Sequence, residues 1–393
     1  MFARLRTPRR TAVKLLALAA AGLMAACQPI ALGNGDGGPR INSNDPVPVA
    51  LLVPAGSGKS GDDLLAKAIE NAARLAIADL DGVKIDLRVY NTAGNPSTAA
   101  GVAQRAVDAG AKVILGPVYS ASANAVGVAV ADEGVNVLSF SNNPDIAGGN
   151  VFVLGPTFEN TANRLVAYAR SQGRGNIFTV HAQSLAEEIG RDAIAKAISQ
   201  NGASNAGSAS FELSQQGLIA AVPKIVSQAK ASGADAVFFT STNDGAMPFL
   251  AQLLPEAGLS PSATQFIGLG RLDIPTEALT QPGLQGSWFA MPDPNLYGNF
   301  RGRYQQAYGG VPHPIASLAY DGIAAIGALV ARQGNTALTR SALTQGSGFV
   351  GTGGIFRLRN DGTNQRGLAV AQIRNNQVVI INAAPRSFSG AGF

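Results

Sequence analysis

The chain has 393 residues, 46% of them hydrophobic and 14% charged, with 30 basic against 25 acidic side chains. That length suffices for two domain-sized cores, and a single cysteine excludes an intrachain disulfide, so stability must come from packing. Five basic residues, Arg4, Arg6, Arg9, Arg10 and Lys14, stand at the N-terminus without an acid; the remaining 25 are matched by 25 acids, so the charge implies no nucleic-acid surface.

The basic start is followed by an apolar run over 15–26 and then by Cys27. A basic region, a short apolar stretch and a small-residue end make an export signal, and the run is too short to span a bilayer. Leu23-Met24-Ala25-Ala26-Cys27 resembles the bacterial lipobox, with Met24 where Leu is usual, so Cys27 is expected to be lipidated after removal of 1–26. Residues 27–46 are expected to form a flexible tether, being rich in Gly, Asn, Pro and Asp. The tether contains Gly33-Asn34-Gly35-Asp36-Gly37-Gly38, but no strand precedes it and no helix follows, so it fails the context of a dinucleotide loop.

From residue 47 the pattern becomes regular. Strands are expected at 47–53, 83–90, 113–115, 135–140 and 152–154, alternating with helices at 61–80, 96–109, 120–133 and 159–171. The alternation restarts with strands at 176–180, 206–211, 236–240 and 265–269 and helices at 185–200, 218–231 and 246–256. Such a rhythm implies right-handed crossovers and parallel sheets covered on both faces. The rhythm then breaks into a strand at 286–291, helices at 295–308 and 314–332, and strands at 354–358, 368–373 and 377–381. Asn375-Asn376 joins the last two as a hairpin turn, because Asn tolerates positive φ.

Little points to catalysis. The two histidines, His181 and His313, are far apart, and with one cysteine they build no zinc or iron site. No carboxylate pair is singled out by its spacing, and Glu187-Glu188 reads as an exposed helix face. Val53-Pro54-Ala55-Gly56-Ser57-Gly58-Lys59-Ser60 ends like a phosphate-binding loop, but Val53 stands where that loop needs glycine. The better reading is a small-residue loop at the C-terminal edge of a strand, where open α/β sheets place a ligand crevice.

Several segments resemble the leucine-binding family of type I periplasmic binding proteins. Leu51-Leu52-Val53-Pro54-Ala55-Gly56-Ser57-Gly58, followed by the helix through Ala68-Ile69-Glu70-Asn71, is similar to that family's opening strand, serine loop and first helix. Asn91-Thr92-Ala93-Gly94-Asn95-Pro96, Gly116-Pro117-Val118-Tyr119-Ser120-Ala121-Ser122 and Ser139-Phe140-Ser141-Asn142-Asn143-Pro144 resemble its later strand ends. The resemblance implies an α/β fold of two doubly wound parallel-sheet lobes joined by a hinge. It also implies a non-enzymatic receptor, without cofactor, that binds a small amino-acid-like ligand between the lobes for an ABC permease. The implied ligand-binding residues are Ser57, Tyr119, Ser120, Ser141 and Asn142 from the first lobe, facing Gln183 and Asp244 from the second. Ser120 opens a helix, where free N–H groups favour a carboxylate. Leu185 stands where the family has an aromatic residue.

A second branch of the fold, the outer-membrane lipoprotein activators of penicillin-binding proteins, is resembled by Gly286-Ser287-Trp288-Phe289-Ala290-Met291-Pro292-Asp293-Pro294. Gly351-Thr352-Gly353-Gly354-Ile355-Phe356 resembles their closing segment. That branch implies an alternative function, regulation of peptidoglycan synthesis by docking on a synthase. Gln28 after Cys27 resembles outer-membrane sorting, so the protein is expected in the periplasm, lipid-anchored. The first lobe is expected to comprise 47–155 and 287–347, the second 156–286 and 348–381, with 382–393 as a tail.

Overall fold

The computed structural model describes residues 38–388. The signal, Cys27 and the start of the tether lie outside the described residues. In the first lobe the apolar runs become β1 (Val47–Val53), β2 (Ile85–Asn91), β3 (Val113–Leu115), β4 (Asn136–Ser139) and β5 (Val151–Val153). They pair in parallel in the order β2-β1-β3-β4-β5. Between them run α1 (Ser60–Ala78), α2 (Pro96–Asp108) and α3 (Ser120–Ala129). On α1, Leu65, Ile69, Ala72, Ala73 and Ala76 are buried at intervals of three and four, one face of a helix turned to a core. Helix α2 starts where its sequence dictates: Pro96 fills the first turn and Asn95 caps it, accepting from Thr98 N at 3.1 Å.

The second lobe repeats the plan. Its strands are β6 (Asn176–Ala182), β7 (Ser204–Phe211), β8 (Ala236–Phe239), β9 (Gln265–Gly268) and β10 (Trp288–Met291), with helices α4 (Phe158–Ser171), α5 (Leu185–Gln200), α6 (Gln215–Ala231) and α7 (Met247–Glu256). The chain then forms α8 (Pro294–Tyr308), α9 (Ala316–Gln333) and the short α10 (Arg340–Leu343), and α9 packs on α1 of the first lobe. A small antiparallel sheet follows, β11 (Phe349–Gly351), β12 (Gly354–Leu358) and β13 (Asn364–Arg366). Finally β14 (Ala369–Arg374) and β15 (Gln377–Asn382) return to the second sheet, whose order is β15-β14-β10-β9-β8-β6-β7. The β14–β15 hairpin turns on Asn375 and Asn376, with φ of 53° and 61°. Buried clusters cover both faces of each sheet, as parallel strands require.

The chain thus passes between the sheets three times: after β5, after β10 and through β11–β13. The first passage is tight. A Cβ on Gly155 would lie 2.4 Å from the Ser141 carbonyl oxygen, so no side chain fits there.

The structure differs from the sequence reading in several details, among them the unexpected β11 and α10. Strand β10 was expected in the first lobe, but it pairs with β9 and β14 of the second sheet, so the second passage follows Met291. Helix α3 ends at Ala129, four residues early, where the chain turns before β4. Strand β13 was not expected, because Asn364-Gln365-Arg366 carries no apolar period. Lastly, the end of the expected tether is ordered against the first lobe. Ile41 is buried, its N–H donates to Asn335 O at 3.1 Å, and Gly38 lies against Leu338 and Thr339.

Candidate functional site

Both lobes share one strand order. Renumbered within its lobe, β7-β6-β8-β9-β10 is the same 2-1-3-4-5 sequence as β2-β1-β3-β4-β5. In such sheets a crevice opens at the C-terminal ends of the two strands whose connections leave in opposite directions. Those pairs are β1/β3 in the first lobe and β6/β8 in the second.

At the first switch point, Ser57 lies in the loop after β1, and Tyr119 and Ser120 follow β3. The Tyr119 hydroxyl donates to the Asp62 carboxylate in the first turn of α1. That hydrogen bond, and a second from Ser57, hold the Asp62 carboxyl below the usual carboxylate range, while Tyr119 itself is pushed up by the same contact. Gly94, at φ 61°, lets the polar turn after β2 approach this group: a Cβ there would meet Tyr119 at 3.2 Å and Asp62 at 3.4 Å. Ser120 opens α3 half-buried, and its hydroxyl has no partner among the described residues. Ser141 is buried and accepts from Asn143 N at 3.1 Å, whereas Asn142 is exposed.

The loop over 53–60 carries no phosphate cradle. Asp63 accepts from Gly56 N at 3.0 Å and Ser57 from Lys59 N at 3.1 Å, so loop N–H groups are already taken, one by a carboxylate that would repel an anion.

The second switch point centres on a residue the sequence reading set aside. Glu187, expected on an exposed face, is half-buried and accepts from Ala182 N at 2.5 Å, Thr240 Oγ1 at 2.8 Å and Ser241 Oγ at 2.9 Å. Its carboxylate ties the end of β6 to the end of β8 from the first turn of α5. Gln183 is exposed and braced by Ser210 Oγ at 3.2 Å; Asp244 is exposed on the β8 loop. Leu185, in the place of the family's aromatic residue, is 75% exposed, and Tyr119 across from it in the other lobe's loop is 38% exposed.

Beside these loops lies a cavity of about 570 Å³ at the inter-lobe passages, drawing its walls from both lobes. The second lobe supplies Arg271, Asp273, Met291 and Leu368; the first supplies Tyr297, Arg301, Ile315 and Asp321. None of the seven expected ligand residues lines it, but both loop sets are joined to it. The Asn243 amide donates to Leu272 O and Ile274 O, both at 3.0 Å, linking the β8 loop of Asp244 to the β9 loop of Arg271. Gly155, which precedes the wall residue Pro156, donates to Ser141 O at 3.1 Å.

Within the cavity Arg271 is held by Asp273 in a two-pronged ion pair, at 2.6 and 2.5 Å. Arg301 and the Tyr297 hydroxyl have no hydrogen-bond partner among the described residues; burial pushes that hydroxyl up, against the pull of Arg301 and Arg271. The sequence held no signal for these residues, because they come from segments brought together only by the passages between lobes. Among the described residues no group of three metal-ligating side chains exists, and no helix is long and apolar enough to cross a membrane.

Two parallel-sheet lobes, each with a switch point, and a cavity walled by both define a two-lobed binding protein. A family model described as periplasmic binding protein matches residues 46–377, and the chain belongs to that family, whose members are binding proteins and not enzymes. No curated protein matches the sequence. Among solved structures, a branched-chain amino acid ABC transporter protein from Rhodospirillum rubrum is similar, with 18% identity and a TM-score of 0.72 over 86% of this chain and 100% of the other. A substrate-binding protein from Desulfitobacterium hafniense, in complex with Leu, has 17% identity and a TM-score of 0.61 over 86% and 100%. A solute-binding protein from Rhodopseudomonas palustris, in complex with 3,4-dihydroxybenzoic acid, has 17% identity and a TM-score of 0.56 over 86% and 98%. At these identities the likeness shows the fold.

Proposed function

We propose that the protein captures a small, amino-acid-like carboxylate with an apolar body between its lobes and presents it to an ABC permease. The observation that carries this reading is the inter-lobe cavity, whose largely apolar walls include an unpartnered hydroxyl, Tyr297, and at an exposed position an unpartnered guanidinium, Arg301. A carboxylate in a largely apolar site needs such donors, since burying it unpaired is costly. The ligands named for two structural relatives, leucine and a dihydroxybenzoate, both carry a carboxylate on an apolar frame. Ser57, Tyr119, Ser120, Ser141 and Asn142 on one lobe, and Gln183 and Asp244 on the other, do not line this cavity; they meet the solute from the switch points only once the lobes close on it, where Tyr119 and Leu185 offer exposed apolar surface. Cys27 holds the protein to a membrane in the periplasm.

Calorimetry with the amino acids and aromatic carboxylates should find one that binds at micromolar concentration. Arg301→Gln should weaken it roughly ten- to a hundredfold, the worth of one charged hydrogen bond. A protein that binds none of them yet co-purifies with a penicillin-binding protein would defeat this reading and favour the peptidoglycan regulator. Cys27→Ser should abolish incorporation of labelled fatty acid; label retained would refute the anchor.

A further inference from the structure

Arg366 has two outlooks. It lines the inter-lobe cavity, and it also lines a second cavity of about 390 Å³ between α4, the end of α5 and the β12–β13 hairpin. This second cavity gathers four arginines, Arg164, Arg357, Arg359 and Arg366. Only Arg366 has a carboxylate partner, Asp321 at 3.4 Å. Glu159 is the one acid in the wall and is held by Lys196 at 2.7 Å.

The other three guanidiniums have no carboxylate partner among the described residues. Arg164 is 6% exposed, yet its partners are neutral: Leu368 O at 2.7 Å, Ala383 O at 3.3 Å and the Asn382 amide oxygen. Arg357 is held by the Gln365 amide oxygen at 2.6 and 2.9 Å and by Gly346 O at 3.2 Å, beneath the Phe388 ring. Arg359 is exposed and makes no hydrogen bond or ion pair among the described residues, although the Asp361 carboxylate, bonded to Thr363, is close enough to feel its charge. Burial pushes the Arg164 and Arg357 guanidiniums down, and for Arg357 the neighbouring Arg359 adds to it. Buried charges are ordinarily paired, so a pocket with this excess of positive charge lacks its counter-charge.

Asn364, 3% exposed, helps to shape the wall: its amide nitrogen donates to Val153 O and Gly155 O, both at 2.8 Å.

We propose that this second cavity binds a small polyanion, such as a dicarboxylate or phosphate. The arginines take the charge, Arg359 from the rim and Arg164 from the wall. The size suits a compact solute. The site is separate from the cleft proposed above and does not depend on what the cleft holds.

Titration calorimetry on the full-length protein, at constant ionic strength in chloride, tests it with two dianionic probes, succinate and inorganic phosphate. One of them should bind saturably, below millimolar, and which one binds identifies the source of the anion. Arg359→Gln lies at an exposed position, so it should keep its melting temperature without ligand and lose at least tenfold in affinity. Arg301→Gln, which alters only the cleft, should retain the binding. Absence of saturable binding by both succinate and phosphate would overturn the site, and so would an affinity unchanged in Arg359→Gln.

Discussion

The Tyr119–Asp62 hydrogen bond makes the first lobe's edge sensitive to acid. The carboxyl is held below its usual range chiefly by the Tyr119 hydroxyl and then by Ser57. A carboxyl lowered in the folded state stabilises the fold above its ordinary value, and that contribution disappears as pH falls through the lowered one. Tyr119→Phe should therefore raise the Asp62 carboxyl toward the ordinary range, measurable by NMR titration. The stability difference between variant and wild type should be present at neutral pH and vanish in acid. Glu187 is the counterpart in the second lobe. Its removal leaves the Ala182 N–H and the Ser241 hydroxyl, both on fully buried residues, without their acceptor. Glu187→Ala should cost roughly 2–3 kcal/mol in urea denaturation, more than an exposed glutamate would. Its role was hidden in the sequence because periodicity reports which way a helix face points. It does not report that a first-turn side chain can bend back to the end of the strand before its helix and across to the end of β8.

At the scale of elements, the passages between lobes are held by polar groups. Asp321 on α9 accepts from Thr352 N at 2.7 Å and Thr352 Oγ1 at 2.9 Å and pairs with Arg366, which in turn donates to Leu154 O at 3.1 Å. One network thus joins the first passage, the third passage and a first-lobe helix. Its space is fixed too, since a Cβ on Gly351 would lie 2.8 Å from the Asp321 carboxylate. Asp321→Ala strands a buried guanidinium and should cost about 3–5 kcal/mol; replacing both partners, as Asp321→Ala with Arg366→Met, should recover much of that. A midpoint shift in urea with an unchanged slope would measure it, and a single variant as stable as the double would refute the coupling. These elements also mark where the sequence stopped being legible. The parallel strands announce themselves as apolar runs such as Val47–Val53, and the helices as buried positions three and four apart. Strand β13 is Asn-Gln-Arg: it pairs with its neighbour β12, but three polar residues carry no apolar period to mark a strand, and the Asn364 side chain is fixed by Val153 and Gly155, some two hundred residues away in sequence. Strand β10 is apolar and was found, but nothing in Trp288–Met291 says which sheet it joins. That Ser57, Tyr119 and Ser120 follow strand ends was legible from the apolar runs before them, and their proposed role from the family resemblance. Arg301 and Arg271 were not, because their meeting depends on the passages.

For the whole molecule, the division of the donors sets how it must move. Arg301 and Tyr297 belong to one side of the cavity and Arg271 to the other, and each lobe has its own switch-point loops. A ligand can shift the balance between open and closed forms only by binding the closed form more tightly, which requires contacts from both lobes. A solute that touches one lobe alone would bind without closing the protein. The passages are short and pinned by the Asp321–Arg366 and Asn364 hydrogen bonds, so the lobes should turn as rigid bodies about them, with each core unchanged. Small-angle scattering should therefore record a fall in radius of gyration when the solute found by calorimetry saturates the protein. Far-ultraviolet circular dichroism should stay constant. In Arg301→Gln, at concentrations that saturate the wild type, the fall should be largely absent. A solute that saturates the wild type and leaves the radius unchanged would show that the lobes do not close on it. The cavity would then be a rigid pocket, and a permease would have no change of shape by which to tell the loaded protein from the empty one.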